Sequence, residues 1–112
     1  MTDAADDRVD DADASAIDEH YVKAIHGDPC GNWGAHVLYY RNIHPRRRIR
    51  ITIRHHWIYE GETREEPPYT VVLEPNLYGG AVPTDKDARM GCPIPGPTTQ
   101  RFNWDVIKAE WA

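Results

Sequence analysis

The chain has 112 residues, 40% of them hydrophobic, and carries 18 acidic and 13 basic side chains for a formal net charge of −5, which suits one domain with one modest core. No apolar run approaches the roughly 18 residues that cross a membrane as a helix. Six Asp against one Arg precede Ile17, the opposite of a secretory signal's basic start and apolar middle, so a cytoplasmic location without a membrane partner is expected.

Charge is segregated. Residues 1–19 hold eight acidic groups against Arg8, while the remainder holds twelve basic and ten acidic groups. The protein is therefore a near-neutral, locally basic domain behind a strongly acidic leader. Residues 1–13 have Val9 as their only large apolar residue after Met1 and cannot bury enough surface to offset the entropy of ordering. They are expected to be a disordered acidic tail, with a single domain over 14–112.

From there Ile17, Tyr21, Ala24 and Ile25 recur at helical spacing, Ser15 precedes Asp18 by three, and Gly27 with Pro29 marks a stop, which predicts a short helix over 16–26. Tyr21, Lys23 and Ile25 also alternate, so an edge strand competes. The turn-rich stretch Gly27–Gly34 carries Trp33, placed at one end of the core. Residues 35–43 read as a strand with apolar groups in both phases, the pattern of a central strand covered on both sides.

The strongest pattern is RRRIRITIRHHWIY over 46–59. Ile49, Ile51, Ile53, Trp57 and Tyr59 fall on one phase and Arg48, Arg50, Thr52, Arg54 and His56 on the other, the period of a half-buried strand. His55 shares the apolar phase and is expected to be buried, His56 exposed. Residues 60–68 read as a polar connection, after which Tyr69, Val71 and Leu73 alternate again. An antiparallel pairing of Tyr59 with Tyr69 would set Trp57 opposite Val71 and His55 opposite Leu73, matching both faces. Residues 75–100 hold five prolines and four glycines, a long irregular connection with a short strand near 88–92. In the last segment Phe102, Trp104 and Val106 share one phase and Ile107, Ala109 and Trp111 the other, so a bulge near Val106 would turn both sets to one core.

The order of Asn42, a turn and a basic alternating strand, then Leu73–Glu74–Pro75, Gly91–Cys92 and the aromatic strand from Phe102 to Ala109 resembles small bacterial immunoglobulin-like domains of unassigned function over roughly 35–111. The resemblance implies a small antiparallel β-sandwich and no activity. The fold expected is thus mainly β, an immunoglobulin-like sandwich behind the acidic tail.

Candidate chemistry is sparse. Six His, Met90, Cys30 and Cys92 could suggest zinc or copper, yet His26 with Cys30 is the only spaced ligand pair, and adjacent His55 and His56 point to opposite faces of a strand. Ser15 is the only serine, and no phosphate-binding glycine loop occurs. No catalytic residue, metal or cofactor is expected. Cys30 and Cys92 are expected as reduced, partly buried residues, with a bridge as the alternative.

Six arginines between Arg41 and Arg54 meet no acidic residue in that stretch, and guanidinium groups pair bidentately with carboxylate or phosphate. The expectation is a non-enzymatic protein-interaction module gripping an acidic protein partner through Arg46, Arg48, Arg50 and Arg54 together with Trp33 and Tyr78 in the aromatic, proline-rich loops. The competing readings are a solvated strand face, a nucleic-acid mimic using the Asp-rich tail, and a small metal-binding protein. Nucleic acid binding by the basic face is disfavoured by a net charge of only +2 outside the leader.

Overall fold

The computed structural model describes residues 20–31, 34–94 and 101–112, so the tail over 1–13 and Trp33 lie outside the described residues. Among the described residues seven strands form two antiparallel sheets: β1 (Val22–Pro29), β2 (His36–Asn42), β3 (Ile49–Tyr59), β4 (Glu62–Glu65), β5 (Tyr69–Leu73), β6 (Ala88–Gly91) and β7 (Asn103–Trp111). One sheet has the order β1-β2-β6. In the other, β3 is central, with β7 along one edge and β4 then β5 along the opposite edge.

β3 is the spine because its odd phase is aliphatic over its first half. Ile49, Ile51 and Ile53 are completely buried, together with Leu73 from β5, and Trp104 and Ala109 from β7 are nearly so. Full burial of such aliphatic side chains is worth about 1.5–3 kcal/mol each. Leu38, Tyr40, Ala88 and Met90 from the first sheet pack against this cluster, so both sheets share one core. The Tyr40 hydroxyl donates to the Trp104 carbonyl at 2.6 Å, and burial is the main cause that raises its pKa.

The bulge expected near Val106 is present. Thr52 opposes Lys108 while Ile53 opposes Val106, leaving Ile107 as the extra residue. Ile107, expected to turn to the core with Ala109 and Trp111, is instead the unpaired residue and is exposed, whereas Trp104 and Ala109, five positions apart, both turn inward. β2 is central in its sheet, as its two apolar phases required: Leu38 and Tyr40 join the shared core, and on the other phase Val37 and Arg41 are buried.

Three expectations are corrected. Residues 22–29 form strand β1 rather than the end of a helix over 16–26. Its alternating pattern prevails because pairing with β2 over Val22–Asn42 to His26–Leu38 satisfies its backbone. The register of β3 with β5 is Ile53–Tyr69, Ile51–Val71 and Ile49–Leu73, six residues from the pairing of Tyr59 with Tyr69. An even slip keeps every side chain on its face, so alternation could not distinguish the two. What decides is a two-residue turn at Glu60 and Gly61, both at positive φ (49° and 81°), the type I′ geometry of a tight hairpin. It folds 62–65, expected as a connection, into β4 opposite 56–59. The Glu66–Pro67–Pro68 stretch then adds one residue relative to β3 before β5 resumes on the same edge.

Third, Cys30 and Cys92 are joined in a disulfide rather than reduced. The bond ties the end of β1 to the end of β6, the strands that flank β2, and Cys30 N–H donates to the Ala35 carbonyl at 2.8 Å. Both cysteines stand just beyond a strand end, where pairing through β2 brings two residues far apart in sequence together. Spacing along the chain carries no trace of this.

Candidate interaction surfaces

Arg50 and Arg54 of β3, with Arg48 just before it, point outward as the alternation required, but each meets a carboxylate across the sheet. Arg48 Nη1 lies 3.7 Å from Glu74, Arg50 Nη1 3.5 Å from Glu110 and Arg54 Nη2 3.2 Å from Glu65. β3 lies between two neighbours, so the face is a mixed-charge ladder and not a cationic patch. Half-exposed pairs of this kind contribute about 0–1 kcal/mol each. His55 and His56 follow the same rule, with Nδ1 of His55 2.6 Å from Glu66 and Nε2 of His56 2.7 Å from Asp105. Their side chains are 16% and 21% exposed, so the expected contrast between a buried and an exposed histidine is absent. The His55 ring stacks on Trp104 at 4.7 Å and touches Trp57 and Phe102.

Arg41 is withdrawn from the cationic face altogether. Its Nε and Nη2 donate to the two carboxylate oxygens of Asp87 at 2.8 and 2.7 Å, Nη1 donates to the Gly80 carbonyl at 2.6 Å and Nη2 also to the Val82 carbonyl at 3.0 Å. Both side chains of this pair are buried. Burial by itself would raise the Asp87 carboxyl, but hydrogen bonds from Arg41, the Thr84 N–H and Asn76 outweigh it and hold the group below the usual carboxylate range. The bond to Asp87 likewise raises Arg41 against the lowering effect of burial. An ion pair taken out of water needs this full set of partners, since an unsatisfied buried charge costs several kcal/mol.

The consequence is a fastened loop over 74–87. Asn76 Nδ2 donates to Asp87 and to Thr84 Oγ1, and Asn76 N–H donates to the carbonyl of fully buried Asn42. Asn42 Nδ2 in turn donates to the Arg47 and Leu73 carbonyls. A Cβ on Gly79 would stand 2.8 Å from the Arg41 guanidinium carbon and 2.6 Å from Asn76 Nδ2, so only glycine admits this approach. Held this way, the loop exposes Leu77 and Val82 and leaves Tyr78 92% exposed.

Two open grooves flank it. One, about 290 Å³, is lined by Pro45, Pro75, Asn76, Leu77, Tyr78 and Lys86. The other, about 420 Å³, lies between the loop and the first sheet, lined by His26, Gly27, Asp28, Tyr39, Val82 and Pro83. The 43–48 turn borders the first groove through Pro45. Within it His44 Nδ1 accepts from the Arg46 and Arg47 N–H groups at 3.0 and 2.9 Å, and the Arg47 guanidinium lies 4.3 Å over the Trp111 ring.

Of the residues singled out from sequence, Arg46 and Tyr78 therefore belong to one end of the molecule, with Arg48 at its border. Arg50 and Arg54 lie along the sheet face, and Trp33 is outside the described residues. Asn42, Asn76, Lys86 and Asp87 were missed. One signal existed: Arg41 shares a strand phase with Val37, and a cation on an apolar phase calls for a buried partner. Among the described residues no three His, Cys, Asp or Glu side chains converge as a metal site, and the bridge removes both sulfurs as thiolate ligands or nucleophiles. No family model, curated protein or solved structure matches this chain.

Proposed function

We propose that the chain is a non-enzymatic protein-interaction module that grips an acidic partner with the end of the molecule built from the 45–48 turn and the 75–86 loop. The observation that carries this reading is Tyr78, almost fully exposed on a loop fastened by the buried Arg41–Asp87 pair. An aromatic side chain offers large contact area with few rotatable bonds, and a loop already fixed loses little entropy on binding. Lys86 lines the same groove and makes no ion pair among the described residues, so a partner's carboxylate would meet a cation without a competing acid bonded to it. The ladder of Arg50 and Arg54 is secondary in this reading, because each guanidinium already meets a carboxylate.

The finer architecture proposed is a small sandwich of the immunoglobulin-like kind, supported by two antiparallel sheets sharing one core. It departs from antibody domains in its bridge, which joins two strands of one sheet and not the two sheets.

Titration of a labelled Glu-rich peptide at low ionic strength tests the binding surface. Tyr78→Ala and Lys86→Glu should each weaken binding several-fold with unchanged thermal unfolding, and Arg50→Ala with Arg54→Ala should leave it nearly unchanged. Equal losses from both sets would move the site back to the sheet face and overturn the reading.

A further inference from the structure

Among the described residues β1, β4, β5, β6 and β7 each lie at a sheet edge, and all but β1 carry a feature that resists an added strand. β4 and β6 have four residues each, β5 stands between Pro68 and Pro75, and β7 is broken by its bulge. Residues 22–26 of β1 pair regularly with β2, hold no proline and carry one charged side chain, Lys23. Ile43 N–H donates to the Tyr21 carbonyl at 2.7 Å, and Val22 stands opposite Asn42. Tyr21, Lys23 and Ile25 therefore aim their backbone groups at β2, while Val22, Ala24 and His26 aim theirs away from it. No strand lies beyond them among the described residues.

The same strand borders a groove. His26, Gly27 and Asp28 line the cavity of about 420 Å³ together with Tyr39, Val82 and Pro83. Tyr39 stands opposite Ile25, which sets the groove on the face shared by the odd residues of β1. Val82 is 68% exposed, yet its carbonyl accepts from the buried Arg41, so an apolar side chain is held in place over the groove.

We propose that an extended segment of another protein adds to this edge as a further strand antiparallel to β1, with aliphatic side chains at alternate positions in the groove and a Lys or Arg beside Asp28. The site is separate from the Tyr78 groove and independent of its reading. The outward N–H and C=O groups of Val22, Ala24 and His26 call for an extended backbone, and every second side chain of that backbone then falls on the Tyr39 face. Asp28 is exposed and makes no ion pair among the described residues, so a cation placed there meets an uncompensated carboxylate. A second copy of this chain is the poorer occupant. Residues 1–19 hold eight acidic groups against Arg8 and lead directly into β1. Antiparallel pairing of two β1 edges would bring each leader beside the other's Asp28, like charge against like.

Titration of a labelled peptide, acetylated and amidated Lys-Val-Thr-Val-Thr-Val-Thr, into the full chain tests this. In the proposed register its lysine stands beside Asp28, its valines opposite Gly27, Ile25 and Lys23, and its threonines opposite His26, Ala24 and Val22. N-methylation of the threonine opposite Ala24 removes a bond to the edge and should weaken binding about tenfold. N-methylation of the valine opposite Ile25, whose N–H points away from β1, should change it little. Ala24→Pro removes the donor from the protein while leaving the ladder with β2 whole, so it should abolish binding with thermal unfolding little changed. Val82→Asp should weaken binding several-fold, and Tyr78→Ala and Lys86→Glu should leave it unaltered. Absence of binding at millimolar peptide overturns the proposal, as does binding that tolerates both Ala24→Pro and N-methylation opposite Ala24. Loss of binding in Tyr78→Ala would move the peptide to the other groove and also overturn it. A wild-type chain that leaves the peptide unbound and dimerises in sedimentation equilibrium until Ala24→Pro is introduced would assign the edge to a second copy instead.

Discussion

The 74–87 loop and the β3–β4 hairpin are opposites in how they are held. The loop has almost no regular structure, yet buried side chains tie it to the body: Arg41 and Asp87 bond each other, and Asn76 bonds both Asp87 and the Asn42 carbonyl. The hairpin has a tight two-residue turn and a regular ladder, but among the described residues β4 bonds no strand other than β3. Regularity and fixation are therefore separate properties. A ladder satisfies the backbone of its own two strands, whereas a buried charge network costs so much to break that it fixes whatever chain it touches.

The comparison is broken most directly at Asp87. Asp87→Asn leaves Arg41 buried without its counter-charge and should cost about 3–5 kcal/mol, measured by chemical denaturation. Amide exchange should accelerate through 76–87 and change little over 56–65. The same residue sets an acid limit. Its folded pKa lies below the ordinary carboxylate value near 3.9, so its stabilisation is complete above that value and is lost as pH falls through the folded one. That part of the acid-side slope should vanish in the variant.

Next in size is the bridge. Replacing Cys30 and Cys92 by serine should cost about 2–5 kcal/mol, given the 62-residue separation it closes, and should loosen β6 and the loop before the hairpin. The bridge and a cytoplasmic location pull in opposite directions, because disulfides persist in oxidising surroundings and are rare in reducing ones. Counting free thiols in protein taken from its own host decides between them; none should be found if the bridge is native.

The smallest effect is expected at the hairpin root. Arg54→Ala removes a half-exposed partner of Glu65 and should shift stability by about 0–1 kcal/mol, less at high salt. A loss as large as that of Asp87→Asn would show that the ladder is a cooperative network and that the contrast between the two regions is wrong.

Sequence by itself determined the elements whose signal is local. The odd phase of β3 selected Ile49, Ile51 and Ile53 as core, the phase change in the last segment located the bulge that leaves Ile107 outside, and the two apolar phases of β2 marked a strand covered on both sides. These patterns repeat within a few residues, so burial on one face leaves its imprint directly on the chain. Tertiary structure alone decided what stands across from what. The slip of six between β3 and β5, the carboxylates that neutralise Arg48, Arg50 and Arg54, the pairing of Cys30 with Cys92 and the burial of Arg41 against Asp87 all join residues distant in sequence. An arginine on a strand reads alike whether it faces water, a cross-strand glutamate or a buried aspartate, because the partner that fixes its charge and exposure comes from another part of the chain.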